Sequence, residues 1–183
     1  MRVAGGLARG RRLRSPRTKG VRPTTERVRS AIFSILGEER LQDAVAADLF
    51  AGTGSLGIEA LSRGAARADF VEVDKGQADV IRANLAATGL SERGRIINAP
   101  AERALGLMKG PYSLVLMDPP YTQPYPAGVL ERLAGSGLLQ PGSVVVVGHS
   151  SRAAPGERYG DLVLEQDRRY GDCSVAFYRM AGE

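Results

Sequence analysis

The feature that most restricts the fold of this chain is a series of short apolar runs separated by segments of helical length. The runs cover residues 45–50, 68–73, 95–98, 113–117 and 143–147, and segments that can form helices lie near 56–63, 75–88, 101–108 and 126–134. Runs that are apolar throughout, rather than at alternate positions, are typical of parallel strands buried on both faces. The alternation therefore predicts an α/β fold with a doubly wound, Rossmann-like sheet between two layers of helices.

The C-terminal part of the chain departs from this alternation. Residues 161–165 and 174–179 flank a polar stretch that contains Gly171 and is too short to hold a helix. We expect these two segments to form an antiparallel hairpin at one edge of the sheet. At 183 residues the chain is expected to form one domain, with residues 43–183 as its core and residues 1–36 as an N-terminal extension.

The positive charge of the chain is concentrated at its N-terminus. Residues 1–29 carry ten Lys or Arg and one acidic residue, a net charge of +9, whereas the remaining residues sum to −4. A basic segment of this kind suits a polyanion, because each neutralised phosphate releases counterions. Glycines and apolar residues interleaved over residues 3–13 favour an ordered strand pair, a small β-hairpin, over a solvated tail.

A helix is predicted directly after this basic segment. Thr24 or Thr25 can act as its N-cap, and Glu26 in the first turn faces the positive end of the helix dipole. The apolar positions of one face are Val28, Ala31, Ile32, Ile35 and Leu36. Their spacing is that of an amphipathic helix, which Gly37 can end.

The composition excludes several classes of protein. One cysteine, Cys173, and one histidine, His149, are too few for a disulfide framework or a structural zinc site, so no metal is expected. No apolar stretch is long enough for a membrane span or a secretory signal, so we expect a cytoplasmic protein. Cys173 is interpreted as a core or edge thiol and His149 as a surface loop residue. Nothing in the sequence requires an oligomer, and a monomer is expected.

A glycine-rich loop follows the first apolar run. Gly52, Gly54 and Gly57 spell G-x-G-x-x-G, and Glu72 lies 20 residues after the first of them, at the end of the second run. This spacing is typical of a loop that binds a dinucleotide. Many other nucleoside cofactors are bound by similar loops, so the glycines alone do not identify the ligand.

Asp48, four residues before the first glycine, favours one cofactor over the other. The pyrophosphate of a dinucleotide is doubly negative at this turn and would be repelled by a nearby carboxylate. S-adenosylmethionine carries an ammonium and a sulfonium, both of which a carboxylate attracts. Glu72 suits either cofactor, because ribose hydroxyls can donate to it in both. The alternative role for Asp48 is that of a strand-end residue that caps amides of the loop.

The fourth apolar run ends in Asp118-Pro119-Pro120-Tyr121. Two prolines cannot continue a central strand, and they fix the backbone so that the carbonyls of Asp118 and Pro119 are presented rigidly. The corner therefore offers a carboxylate, a carbonyl and an aromatic ring. The alternative is an ordinary turn with Tyr121 in the core.

These groups suit an exocyclic base amine, whose lone pair is delocalised into the ring and is a poor nucleophile. Two acceptors that hold its two hydrogens draw the nitrogen toward tetrahedral geometry and stabilise the positive charge that develops on it. Tyr121 can stack on a looped or flipped-out base. Because ligands bind where the strand order of an open sheet reverses, Asp48 and Asp118 are expected on neighbouring loops.

With these residues the chain resembles class I methyltransferases and, more closely, the RsmD family of bacterial 16S rRNA (guanine-N(2))-methyltransferases. The resemblance covers essentially the whole chain. It is carried by Gly5-Gly6, Gly10 to Leu13, the Arg22-Pro23-Thr24-Thr25-Glu26-Arg27 segment, Asp48 to Gly57, Glu59 to Ala65, Phe70 to Glu72, Asn84-Leu85, Asp118 to Tyr121 and Tyr170-Gly171-Asp172. The Arg-Pro-Thr-Thr segment combined with Asp-Pro-Pro-Tyr is the most specific part.

The resemblance implies a seven-stranded sheet whose last strand is antiparallel, and it implies roles for individual residues. Catalysis falls to Asp118, Pro119, Pro120 and Tyr121. S-adenosylmethionine contacts fall to Asp48, Phe50, Ala51, Gly52, Thr53, Gly54 and Glu72. RNA contacts, with 16S rRNA or the assembling small subunit as partner, fall to Arg11, Arg12, Arg22 and Arg27.

One position departs from the pattern of the class. Where many class I enzymes place an Asp or Asn that receives the adenine amine, this chain has Pro100. The adenine contact is therefore expected from the Ala101 amide or from Asn98.

Several alternative functions remain open from the sequence. The same chemistry could act on adenine N6 of RNA or DNA, or on a glutamine side chain, although the basic segment favours nucleic acid. A 5-methylcytosine enzyme is disfavoured, because its cysteine nucleophile would have to be Cys173 in the terminal hairpin. From other classes, a nicotinamide oxidoreductase or a non-catalytic RNA-binding module could carry the same glycine loop.

Overall fold

The computed structural model describes residues 1–15 and 25–182, and it contains one mixed sheet with helices on both faces. The strands are β1 (Val45–Leu49), β2 (Arg67–Val71), β3 (Gly94–Ile97), β4 (Tyr112–Met117), β5 (Leu139–Ser150), β6 (Arg158–Tyr159), β7 (Leu162–Tyr170) and β8 (Cys173–Met180). The α-helices are α1 (Glu26–Leu41), α2 (Ser55–Ser62), α3 (Lys75–Thr88), α4 (Ala101–Ala104) and α5 (Ala127–Ala134). None of the helices in the described ranges is long and apolar enough to cross a membrane.

The strand order is β3-β2-β1-β4-β5-β8-β7-β6. Strands β1 to β5 are parallel, and the order reverses between β1 and β4. Strand β8 is antiparallel to β5 on one side and to β7 on the other, so the predicted hairpin and the antiparallel last strand are confirmed. The reversal places the ligand crevice at the carboxyl ends of β1 and β4.

The sheet has eight strands in the described residues, where seven were predicted. The additional strand, β6, is two residues long and pairs with the outer edge of β7. Gly160, with φ of 56°, provides the tight turn between them. A two-residue strand has no apolar periodicity, so the sequence pattern could not reveal it.

The central strands are buried on both faces, which explains their continuous apolar runs. Ala46, Leu114 and Val146 face one core together with α1, α2 and α3. Ala47 and Val115 face a second core together with α4 and α5. Successive side chains of a strand point to opposite faces, so both sets must be apolar.

Helix α1 begins with the predicted cap but does not end where predicted. Thr25 Oγ1 accepts the Val28 amide at 3.3 Å. Gly37, with φ of 73° and ψ of 164°, interrupts the helix, and one further turn follows before it ends at Leu41. Helix α4 is shorter than predicted, because residues 105–107 form a turn rather than more helix.

The N-terminal segment is ordered over residues 1–15, but as less than the predicted strand pair. A single antiparallel bridge joins Arg2 and Arg12, and the Val3 amide donates to the Arg11 carbonyl at 3.0 Å. Val3 and Leu13 are buried against α1 and α2. Residues 16–24, which include part of the basic segment, lie outside the described residues.

Candidate active site

The carboxyl ends of the parallel strands open into a cavity of about 770 Å³, a size that suits a nucleoside cofactor. Its lining residues come from five places along the chain. They are Asp48, Phe50 to Thr53, Ser55, Leu56, Val71 to Asp74, Gln77, Ala99 to Glu102 and Asp118 to Gln123. Every residue predicted to bind the cofactor or to act in catalysis lines this cavity, with the exceptions of Gly54 and Asn98.

Asp48 is the most unusual acid of the cavity. It is 1% exposed, and its Oδ2 accepts the Gly57 amide at 2.8 Å, whereas its Oδ1 has no hydrogen-bond partner among the described residues. Burial raises the pKa of Asp48 well above its ordinary value, and the nearby carboxylates of Asp118 and Glu72 raise that pKa further. One oxygen therefore caps an amide, as the alternative interpretation proposed, and the other is buried without a hydrogen bond from the described residues, which is unfavourable for a charged group.

The glycine loop is held by Glu72. Its Oε2 accepts the Gly52 amide at 2.8 Å, and its Oε1 accepts the Asp74 amide at 2.9 Å. Phe50 and Gly52 have positive φ of 59° and 56°. A positive φ is rare for phenylalanine, and such strained residues cluster at ligand sites. The carboxylate of Glu72 thus lies directly against the first glycine of the loop.

The other two glycines of the motif serve packing. A Cβ at Gly57 would lie 2.4 Å from the ring of Phe70, so α2 packs on the sheet only without a side chain there. A Cβ at Gly54 would lie 3.1 Å from Ile81, in the apolar core. Gly54 is not among the residues that line the cavity, and its predicted backbone contact with the cofactor stays a prediction.

The two candidates for the adenine contact, which follow β3, lie in different surroundings. The side-chain amide of Asn98 donates to the carbonyls of Glu72 and Val73 at 2.8 and 3.0 Å, and Asn98 does not line the cavity. Asn98 therefore fixes the end of β2, and the adenine contact stays a prediction for Ala101 and Asn98. Ala101, at the first residue of α4, does line the cavity.

The Asp-Pro-Pro-Tyr corner turns away from the sheet directly after β4. The Gln123 amide donates to the Pro120 carbonyl at 3.0 Å, which closes a tight turn. Tyr121 is 42% exposed, so the interpretation that places its ring in the core is wrong. Asp118 and Tyr121 share the cavity with Asp48, as predicted from the strand reversal.

His149 is not the predicted surface loop residue. It lies near the end of β5, is 3% exposed, and its Nε2 is 2.9 Å from Oδ1 of Asp167. Its ring meets the edge of Tyr125 at 5.3 Å, and the hydroxyls of Tyr125 and Tyr178 are 2.8 Å apart. These contacts hold Tyr125, at the end of the loop that begins with the Asp-Pro-Pro-Tyr corner, in place. The prediction failed because the fifth strand extends beyond the last valine of its apolar run.

Two residues next to the site were not identified from the sequence. Asn84 is fully buried, its Nδ2 donates to the Thr53 carbonyl at 2.9 Å, and its Oδ1 accepts the Arg14 amide at 2.7 Å. It thus ties the cofactor loop to the N-terminal segment. Gly148 lies on β5 beside Asp118. A buried polar residue on a helix was a usable signal for Asn84, whereas only the register reveals Gly148.

Three of the four basic residues predicted to contact RNA lie in the described ranges, and none of these three lines the cavity. Arg11, Arg12 and Arg27 are all exposed. Arg22 lies outside the described residues, so its prediction is untested.

Other reactive groups do not gather at the site. Cys173 is half-buried at the start of β8, packs against the core as predicted and does not line the cavity. Within residues 1–15 and 25–182, no three His, Cys, Asp or Glu side chains form a group that could hold a metal ion.

The sheet order, the antiparallel strand beside β5 and the cavity at the ends of β1 and β4 together define a class I methyltransferase. A family model described as "Conserved hypothetical protein 95" matches residues 1–179. The chain belongs to this family, the RsmD family that its motifs resemble.

Relatives in sequence and structure agree with this assignment. The "Putative rRNA methyltransferase YlbH" of Bacillus subtilis is 32% identical over 185 residues, which covers 100% of both proteins. The "Ribosomal RNA small subunit methyltransferase D" of Escherichia coli strain K12 is 37% identical over 147 residues, 80% of this chain and 73% of the relative. A solved structure described as "Putative methyltransferase yhhF from Escherichia coli" is 30% identical with a TM-score of 0.87, and the match covers 100% of this chain and 99% of that one.

Proposed function

We propose that this protein transfers the methyl group of S-adenosylmethionine to the exocyclic N2 amine of a guanine in small-subunit (16S) ribosomal RNA. The observation that carries the proposal is the presence of two carboxylates in one cavity, Asp48 on β1 and Asp118 at the end of the neighbouring β4. Asp48 suits the cationic cofactor, and Asp118 suits the amine that receives the methyl group.

The residues around the glycine loop fit S-adenosylmethionine. The unpartnered Oδ1 of Asp48 is buried, so an ammonium or sulfonium would compensate its charge. Glu72 can accept hydrogen bonds from ribose hydroxyls, and the Ala101 amide is our candidate donor to adenine. When bound, S-adenosylmethionine supplies an electrophilic methyl group on sulfur.

A nicotinamide dinucleotide fits the same residues less well. Its pyrophosphate would meet the carboxylates of Asp48 and Glu72 at the glycine loop. The Gly52 amide, which would bind a phosphate oxygen in a dinucleotide enzyme, already donates to Glu72 at 2.8 Å. We therefore do not favour an oxidoreductase.

The residues of the corner after β4 can position the target amine so that its nitrogen attacks the methyl group. Asp118 and the Pro119 carbonyl accept hydrogen bonds from the two N–H groups of the amine, so that its lone pair is localised toward the methyl donor. Tyr121 is exposed enough to stack on the base. After methyl transfer from sulfur to nitrogen, the Asp118 carboxylate would accept the extra proton on nitrogen and pass it to solvent. Positioning supplies the rest of the acceleration.

The substrate is chosen from the family and from the charge. The corner serves adenine N6 or a glutamine amide equally well, but the relatives are named as ribosomal RNA methyltransferases. A net charge of +9 over residues 1–29 suits an RNA backbone. Because its substrate is ribosomal RNA, the protein acts in the cytoplasm.

The test is transfer of labelled methyl from S-adenosylmethionine to deproteinised rRNA, to assembled small subunits and to DNA, followed by nucleoside analysis. We expect N2-methylguanosine in the small-subunit RNA. The Asp118→Ala variant should transfer no methyl group and should still bind S-adenosylhomocysteine, as measured by calorimetry. Label confined to DNA, or thermal stabilisation by NAD and not by S-adenosylmethionine, would overturn the proposal.

A further inference from the structure

Gly148 is buried on β5 directly beside the Asp-Pro-Pro-Tyr corner. Met117, the last residue of β4, pairs with Val147, so the next residue of each strand, Asp118 and Gly148, stand side by side. On its other side Gly148 pairs with Val175 of β8. Its position therefore lies within the continuous sheet, where a side chain is normally present.

The backbone does not require glycine at this position. Gly148 does not have a positive φ, so any residue could adopt its backbone conformation. What excludes a side chain is a neighbour: a Cβ on Gly148 would lie 2.6 Å from Oδ1 and 3.3 Å from Cγ of Asp118. The same Cβ would be 3.5 Å from the hydroxyl of Tyr121.

The group that would have to move is the Asp118 carboxylate and not the backbone of a neighbouring strand. Real Cβ atoms do not approach other heavy atoms to 2.6 Å, and the Asp118 carboxylate turns on only two side-chain torsions. A methyl group at position 148 would therefore displace the Asp118 carboxylate, which lines the cavity, from its present position. The atoms nearest to this Cβ do not include any of Asp48 or Glu72, the two acids proposed to bind the cofactor.

We propose that Gly148 is a positioning residue, whose bare Cα lets the Asp118 carboxylate lie back against β5 and so leaves room for the target amine. This inference rests on the proposed function, in which Asp118 holds that amine. Displacements of about 1 Å from a productive geometry lower rates by about a hundredfold in other enzymes.

The first test compares Gly148→Ala with Gly128→Ala. Gly128 lies in α5, and a Cβ there would have no heavy atom within 4 Å, so it is a matched glycine without a crowded neighbour. We expect Gly148→Ala to lower kcat for methyl transfer to small-subunit RNA by about tenfold to a hundredfold. Its Kd for S-adenosylhomocysteine should stay within about twofold of wild type. Gly128→Ala should match wild type in both.

The second test needs no activity and compares melting temperatures in two backgrounds. Gly148→Ala should lower Tm in the wild-type protein but not in Asp118→Ala, where the carboxylate that it strikes is gone. If Gly148→Ala folds only in the Asp118→Ala background, that also supports the inference.

Three results would overturn it. An equal loss of Tm in both backgrounds would show that the sheet, and not Asp118, requires glycine. An unchanged kcat for Gly148→Ala in an active protein would refute the positioning role alone. A wild-type protein that transfers no methyl group to any of the tested substrates would overturn the proposed function and this inference with it.

Discussion

Two buried acids lie at helix α2, one bonded to it and one within it, and they differ in how many of their carboxylate oxygens have hydrogen-bond or ion-pair partners. Asp48 is 1% exposed and accepts one amide from the first half of the helix, whereas Glu59, on the helix itself, is 0% exposed. Similar burial would suggest a similar role. Their partners show that one belongs to the fold and the other to the cavity.

Glu59 is surrounded by donors. It accepts the amides of Ala4 and Gly5 at 2.9 and 2.8 Å and the Nε of Arg63 at 2.7 Å. Its second ion pair is with Arg29, at 3.3 Å and fully buried. Both of its oxygens are thus satisfied within the protein, and the acid joins the N-terminal segment to α1 and α2.

Asp48 has only one oxygen satisfied, and its side chain lines the cavity. The contrast teaches that burial of a charge is not in itself a sign of function. A buried acid whose oxygens are all paired stabilises a structure, whereas one that keeps an unpaired oxygen beside a cavity marks a binding site.

The largest expected effect comes from removing charge at Glu59. Glu59→Gln leaves the buried Arg29 without its ion-pair partner, so the free energy of unfolding should fall by about 3–5 kcal/mol in urea denaturation. The control is Arg82→Ala, which breaks an exposed ion pair with Asp79 and should change stability by no more than about 0.5 kcal/mol. A loss below about 1 kcal/mol for Glu59→Gln would show that Glu59 is not the structural acid of the pair.

The second effect falls on binding and not on folding. Asp48→Asn should weaken S-adenosylhomocysteine binding by about tenfold to a hundredfold in calorimetry, because a charged partner of the ligand is lost. Its Tm should equal or exceed that of wild type, because burial opposes the charged form of Asp48. Asp79→Asn, at an exposed acid on α3, should leave the affinity unchanged. A marked drop in Tm with normal affinity would reverse the assignment of the two acids.

The smallest effect is a pH dependence that Asp48 alone should produce. Its pKa is raised in the folded protein, by burial first and then by Asp118 and Glu72. The stability that this shift contributes is present below the unfolded pKa and is lost as pH rises through the folded pKa. Cofactor binding has the opposite sign, because a cation needs the ionised acid.

We therefore expect affinity for S-adenosylhomocysteine to fall as pH is lowered through the raised pKa of Asp48, by no more than the loss that Asp48→Asn causes. The affinity of Asp48→Asn should vary less over the same range. Parallel pH profiles for the two proteins would mean that another group controls binding.

The sequence alone predicted the parts of the fold and of the site whose sequence pattern is long or chemically unusual. Continuous apolar runs predicted the parallel strands, and the antiparallel C-terminal pair followed from a stretch too short for a helix. Asp48 and Asp118 were placed in one cavity because strand ends at a reversal must meet.

The failures share a physical cause, which is contact between residues far apart in sequence. His149 is buried only because Asp167 and Tyr125 come from other parts of the chain to meet it. The bonds from the Asn98 side chain to the end of the neighbouring strand were likewise not predicted. No local pattern encodes these pairings, so they required the three-dimensional register.

The position of β8 has a consequence for how the protein is made. Cys173–Met180 fills the place between β5 and β7, so the valine-rich edge of β5 stays unpaired until these late residues have been synthesised. An open apolar edge of this kind is a template for pairing between chains. The nascent protein should therefore be most prone to aggregation just before its last strand emerges, and a chaperone should have its strongest effect during that interval.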